Sequence, residues 1–438
     1  MDEYHYVFQS QVFSQGKMSI PVNAELPDFL LDEMMLKYGD KLFSKYPPFY
    51  TFLLSIANFF NSPFIVNPLL SVLSLILVFK ILTLYFNPKT ATWTTLIVST
   101  NLYFVGYTAS YFAQSTSLFL TLLTFWALLL YKKTPRIPYL WIMGAGLFCL
   151  VPTRPLDALI QAIFLGLLVL FQENSIKEKA KLLAVVAVGI LLGTLFMMSY
   201  NYLQSGYFKI VSYKIWNSEF KIIGAKNSIL DNALYIIQSY FDHFQFFLIP
   251  LFKNHFITVI NFGVILLTLT SFWNKRIKLH LWGLALFLLY ILLYNFHEGL
   301  GFPLYGSRYW YPAWAGLVLM IASGLELVFK WRKVTILLGI FIVFQTYHTT
   351  LGIKDYAART TFALEVKSYL DSKCSENSII PIEENVTDLD HSVPFIFYTQ
   401  FVRNAFFNGP HLYARKLSDA VTLHQFYPEY AICTPVSP

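Results

Sequence analysis

From Ile65 to His348 the chain alternates long apolar runs with short polar connections, a pattern that predicts membrane-spanning helices. Spans are expected at Ile65–Phe86, Ala91–Tyr107, Ser115–Leu130, Ile137–Val151, Leu156–Phe171, Leu182–Tyr200, Phe256–Trp273, Leu281–Tyr294, Tyr311–Phe329 and Val334–His348. Two apolar stretches do not fit a full crossing. Pro47–Phe60 would reach about two thirds of the way across a hydrocarbon core of roughly 30 Å. It reads as an interfacial or re-entrant helix, started by Pro47 and Pro48 in its first turn. Asn232–Phe252 is aromatic-rich and interrupted by Asp242, His243 and Gln245, as expected of a helix lying at the interface. The short alternating segments of a transmembrane barrel are absent from the sequence.

The polar flanks complete the organisation. Residues 1–64 form a first outer loop with interfacial helices, 65–349 a transmembrane helical domain, and 350–438 a small tail. In the tail, a helix is expected over Thr361–Ser372 and a strand over Ser378–Ile382. The expected fold class is an all-α polytopic membrane protein of about ten transmembrane helices plus interfacial helices, with a small α/β extracytoplasmic tail at the C-terminus.

Charge assigns the sides. Alternate connections carry Lys89; Lys132, Lys133 and Arg136; Lys177, Lys179 and Lys181; Lys275, Arg276 and Lys278; and Lys330, Arg332 and Lys333. With the spans above, all five fall on one side, which the positive-inside rule makes cytoplasmic. The net charge of +7 therefore reflects loop topology, and nucleic acid is not an expected partner. Only 13% of residues are charged, 56% are hydrophobic and the mean hydropathy is +0.52, which excludes an ordinary soluble domain. The opposite side receives residues 1–45, the turn VPTRPLD, the long loop after Tyr200, the stretch NFHEGLGFPLYGSRYW, and the tail. An outward N-terminal region with no signal peptide is awkward to translocate, so a further transmembrane helix is expected ahead of these residues. Cys149 falls in a span, whereas Cys374 and Cys433 fall in the tail, where an oxidising compartment would allow a disulfide.

Four polar constellations share that outer side. Asp2 and Glu3 place carboxylates where one can act as a general base toward an acceptor hydroxyl; the plain alternative is a solvated pair. Lys45 and Tyr46 precede a proline-started helix, so the ammonium sits at headgroup depth beside a positive helix end, suited to a phosphate; the alternative is a snorkelling lysine. Arg154 and Asp157 lie at the outer junction of two spans, either pairing across a tight turn or marking a substrate path. Arg308 and Tyr309 stand in LYGSRYWYP, either as part of an interfacial belt or as a guanidinium binding a lipid-linked phosphate bidentately. Slightly earlier, His297 and Glu298 offer hydrogen bonds to a sugar or a contact to a metal. No His/Cys spacing supports a zinc site, and there is no Gly-rich nucleotide-phosphate loop.

The order of these stretches resembles the GT-C superfamily of polyprenyl-phosphate-sugar-dependent glycosyltransferases. The nearest resemblance is to bacterial protein mannosyltransferases and lipid A aminoarabinose transferases. It is carried by DEYHYVFQSQVFSQGKMSIP, SKYPPFYTFLLSIANFF, SYFAQSTSLFLTLLTFWALL, LVPTRPLDAL, SYNYLQSGYFKIVSY and GSRYWYP, from Asp2 to about Trp331. The resemblance implies a sugar transferred at the extracytoplasmic face from a polyprenyl-phosphate donor to a lipid, polysaccharide or protein acceptor. It implies Asp2 as catalytic base with Glu3 beside it, Lys45 and Arg308 on the carrier phosphate, and, more loosely, Arg154. Gln114 and Ser115 stand where some relatives carry another acid or a histidine. No cofactor is called for, and a divalent cation stays open. The rival functions are a flippase for a lipid-linked saccharide and a non-catalytic scaffold that binds one. The absence of internal repeats and the gathering of charge on one face argue against a transporter.

Overall fold

The computed structural model describes residues 2–25, 35–171, 175–210, 267–273, 277–294, 308–329, 334–381, 411–414 and 417–433. The chain begins with α1 (Asp2–Ser14) and a three-stranded antiparallel sheet of β1 (Ile20–Pro21), β3 (Lys41–Ser44) and β2 (Met35–Tyr38), in that order. The hairpin registers Met35 on Ser44 and Tyr38 on Lys41. Next comes α2 (Pro48–Asn58), with a proline in its first turn, where a missing N–H costs nothing. The expected Asn232–Phe252 helix lies outside the described residues.

The bundle follows as α3 (Val66–Leu82), α4 (Pro88–Ser99), α5 (Leu102–Thr108), α6 (Gln114–Lys133), α7 (Ile137–Leu150), α8 (Pro155–Leu170), α9 (Ile176–Ser205), α10 (Ile277–Tyr294), α11 (Trp314–Val328) and α12 (Val334–Lys373). Among the described residues, five helices are long and apolar enough to cross a membrane: Pro63–Leu82, Gln114–Lys133, Ile176–Ser205, Tyr311–Val328 and Val334–Leu351. Ile137–Leu150, Pro155–Leu170 and Leu279–Tyr294 are shorter apolar helices. Most of the run expected as Phe256–Trp273 falls outside the described residues.

One expected span is broken. Ala91–Tyr107 is not one helix, because Asn101 takes an extended backbone and its Oδ1 accepts from Tyr103 N (3.0 Å), starting α5 anew. The carbonyls freed at the break are met from α12. Gln345 Nε2 donates to Ile97 O (2.7 Å), and Thr349 Oγ1 donates to Thr100 O (2.7 Å). In an apolar surround such partners are what makes a broken helix tolerable.

Helix α6 packs between α3 and α7, α7 on α9, α8 on α9 and α10, and α10 on α11. The α7–α9 crossing is close because of glycines: a Cβ at Gly189 would lie 2.8 Å from Gly144 O, and one at Gly193 2.7 Å from Phe148 O. Backbone lines both contacts, so relief requires the helices to separate. Gly193→Ala is expected to destabilise the bundle by about 1–3 kcal/mol, the usual cost of overpacking. A thermal melt of the detergent-solubilised protein would show it; an unchanged melt would mean that the crossing gives way freely.

The two ends of the bundle differ. At one, Lys89 Nζ donates to Thr335 Oγ1 (3.2 Å) and sits 4.5 Å from the Phe329 ring centroid. At that end too, Lys181 Nζ donates to Tyr131 OH (2.8 Å), and Phe171 meets Trp282. These contacts join helix ends that flank the basic connections. At the other end Phe49 N donates to Pro152 O (2.9 Å), Gln204 Nε2 to Met18 O (3.0 Å), and Tyr38 packs edge-on against Tyr207.

The tail joins this second end. Helix α12 continues forty residues without a break, so the separate Thr361–Ser372 helix expected from the sequence is its last part. Strands β5 (His411–Ala414), β4 (Ser378–Pro381) and β6 (Ala431–Ile432) form a parallel sheet in that order, accompanied by α13 (Leu417–Phe426). Cys374 and Cys433 are disulfide-bonded, with Cα atoms 5.8 Å apart. Ile379, Ala420, Leu423 and Tyr430 share one core with Phe8, Val12, Ile20, Val22, Met35 and Leu42. The tail thus packs on α1 and the N-terminal sheet.

Candidate functional site

Two of the segments nominated by sequence, the start of α1 and Lys45–Tyr46, meet where α1 lies along the segment that leads into α2. Glu3, on the first turn of α1, is buried, and Tyr111 N donates to its Oε1 (2.6 Å). That bond ties α1 to the turn between α5 and α6. Burial, and then the Glu3 carboxylate, hold the Tyr111 hydroxyl above the usual tyrosine value, so it stays protonated. Asp2 is the first residue of α1; its side chain lies outside the description.

Next along α1, Tyr6 stacks at 4.4 Å on Tyr46 and meets Tyr50 edge-on at 5.1 Å. Lys45 is 7% exposed, with Nζ 5.6 Å from the Tyr46 ring centroid. A lysine this buried beside phenol rings is held at a fixed place, unlike a snorkelling one. The helix that carries the two acids and the segment that carries Lys45 thus lie side by side.

Arg154 lies within electrostatic reach of Tyr6 and so belongs to the same neighbourhood. Its partners are specific. Nε is 2.8 Å from Asp157 Oδ2, and Nη2 donates to Tyr294 OH (2.8 Å). Tyr294 donates to Asp157 Oδ1 and Ser117 donates to Oδ2, so the carboxylate is bonded from two helices, α6 and α10, and from the turn before α8. Of the two meanings open to this pair in the sequence, the structure shows the ion pair that holds the turn. Below it, Thr121 meets Tyr290 OH (3.3 Å), and Gln161 Nε2 donates to Thr124 Oγ1 (2.8 Å).

Arg308 opens a short 3-10 turn, Arg308–Ala313, which delivers Tyr311 to the rings of Tyr103 and Tyr107 at 5.6 and 4.8 Å. The Arg308 and Tyr309 side chains and the whole of His297 lie outside the described residues. Among the described residues, no three His, Cys, Asp or Glu side chains come together as a metal would require.

The backbone as a whole has a known counterpart. The fold is similar to ArnT. The crystal structure of ArnT from Cupriavidus metallidurans in the apo state superposes with a TM-score of 0.56. The match covers 99% of this chain and 84% of that one, at 9% sequence identity. At that identity the likeness is one of fold alone. No protein-family model matches the chain, and no curated sequence matches significantly. Together with its apolar helices, the likeness places the chain among multi-pass membrane proteins of this architecture.

The sequence did not single out Tyr6, Tyr111, Ser117 or Tyr294, all of which touch the nominated residues, or Tyr50, which packs on Tyr6. A signal was present for part of this set. Ser117, Thr121 and Thr124 in α6, Asp157 and Gln161 in α8, and Tyr290 and Tyr294 in α10 each recur at one-turn spacing within apolar helices.

Proposed function

We propose that the protein is a membrane glycosyltransferase of the GT-C kind, moving a sugar from a polyprenyl-phosphate carrier to an acceptor hydroxyl at the extracytoplasmic face. The observation that carries this reading is the packing of the acid-bearing α1 against the buried Lys45, at the bundle end away from the basic connections. The ArnT-like fold supports it, and so does the disulfide in the tail, since structural disulfides belong to oxidising compartments.

The chemistry follows from the charges. The acceptor hydroxyl attacks the anomeric carbon, and its oxygen forms the new glycosidic bond while the bond from that carbon to the carrier phosphate breaks. Asp2 takes the hydroxyl proton, and the polyprenyl phosphate leaves with the bonding electrons. Lys45 and Arg308 hold the phosphate and raise the rate where they bind the leaving oxygen more tightly in the transition state than in the ground state. The Arg154 charge is matched by Asp157.

The test is transfer in proteoliposomes supplied with radiolabelled polyprenyl-phosphate sugars and a cell-envelope extract. Lys45→Gln is expected to lower transfer about ten- to a hundredfold, the worth of one charge-assisted hydrogen bond. If no donor is used by the wild type while labelled donor crosses the bilayer, the protein is a flippase and this reading is wrong.

A further inference from the structure

Resting on the reading above, we infer that Gln9 is a positioning residue that sets the spacing between the acid pair of α1 and Lys45. The proposed chemistry needs a base and a phosphate-binding cation at a fixed separation. Here they are borne by two segments that are distant in sequence, and aromatic rings meet between those segments. His5 and Tyr6 lie against Tyr46, and Tyr6 lies against Tyr50. Stacked rings can slide, because dispersion and quadrupole attractions vary little over a fraction of an ångström. A hydrogen bond has a direction and a narrow range of length.

Gln9 supplies that bond. It lies one turn beyond His5 and Tyr6 on the same ridge of α1 and is fully buried. Its Oε1 accepts from Ser44 N (2.9 Å), the residue immediately before Lys45. Its Nε2 donates to Met18 O (3.0 Å), so both ends of the amide are engaged. Ser44 Oγ in turn accepts from Tyr46 N (3.2 Å), which fixes the backbone on the far side of Lys45. Gln9 thus holds Lys45 from α1, about 9 Å along the helix from Glu3. Gln204 provides a natural control: it also donates to Met18 O (3.0 Å), from α9, and the partners of its amide are Met18 O and Tyr200 OH.

The experiment compares Gln9→Leu, Gln9→Glu and Gln204→Leu in the full chain in proteoliposomes, reading kcat, donor KM and hydrogen exchange at the Ser44 amide. Gln9→Leu is expected to lower kcat about tenfold or more, since small misplacements of reacting groups cost this much, and to leave KM within about twofold. The Ser44 amide should exchange faster in that variant. Gln9→Glu keeps the acceptor for Ser44 N and should restore both readouts, whereas Gln204→Leu should move neither. Gln9→Met, close in length, replaces Gln9→Leu if the latter does not fold. Equal losses from Gln9→Leu and Gln204→Leu would reduce Gln9 to one buried hydrogen bond among others and overturn the inference. Unchanged Ser44 exchange in Gln9→Leu would overturn it as well. If the wild type transfers no sugar, the glycosyltransferase reading fails, and Ser44 exchange alone decides whether Gln9 holds the Lys45 segment.

Discussion

Asp157→Asn and Arg154→Leu are each expected to destabilise the protein by about 3–5 kcal/mol, the cost of stranding one member of a buried ion pair. The geometry makes this pair an extreme case. The Asp157 side chain is fully buried and that of Arg154 is 10% exposed, so water cannot take over for a lost partner. Removing the carboxylate charge leaves a buried guanidinium, donating to Tyr294 OH, without its counter-charge at Asp157. Removing the guanidinium leaves a carboxylate that Ser117 and Tyr294 solvate only in part. The double variant Arg154→Leu/Asp157→Leu removes both charges and should cost less than the two singles added together. Thermal unfolding in detergent gives all three values. Additive singles, or singles that cost under about 1 kcal/mol, the range of exposed pairs, would show that water reaches the site. Loss of transfer in these variants should follow loss of fold, which separates Arg154 from Lys45, whose variant keeps its fold and loses rate.

How far the sequence revealed this arrangement depends on whether a feature is written along the chain or across it. The five long apolar helices and the proline-started α2 are local patterns, and each could be located from residue order alone. The break at Asn101 could not, because LIVSTNLYFVGY is apolar on both sides of its short Ser-Thr-Asn stretch, and those three look like tolerated polar residues in a span. What makes the break stable is Gln345 and Thr349, about 245 residues away. The same holds for the tail: its strand at Ser378 and its two cysteines were visible, but the packing of Leu423 and Ile379 on Phe8 and Val12 is a long-range fact. At the site, Lys45 and Arg154 stood out because charge is rare in this chain. Tyr6, Tyr111 and Tyr294 did not, because tyrosine is common here and an interfacial belt already accounts for it. Only their partners distinguish a tyrosine of the site from one of the belt.

The two acids of α1 should separate on mutation. Asp2→Asn is expected to lower transfer by about 10²–10⁴-fold, the usual contribution of a general base. Glu3→Gln should cost far less, because the role the structure gives Glu3 is to accept from Tyr111 N, and a glutamine Oε1 accepts equally well. Glu3→Leu should then do more damage than Glu3→Gln, since the Tyr111 N–H loses its partner and α1 its tie to the α5–α6 turn. The assay is transfer at saturating donor, with each variant checked for expression and for the Cys374–Cys433 disulfide as a mark of correct folding. If Glu3→Gln abolishes transfer while Asp2→Asn does not, the base is Glu3, and the bond to Tyr111 N holds the reacting carboxylate rather than a strut beside it. If neither variant loses rate, the acids of α1 serve only to seat the helix, and the base lies elsewhere.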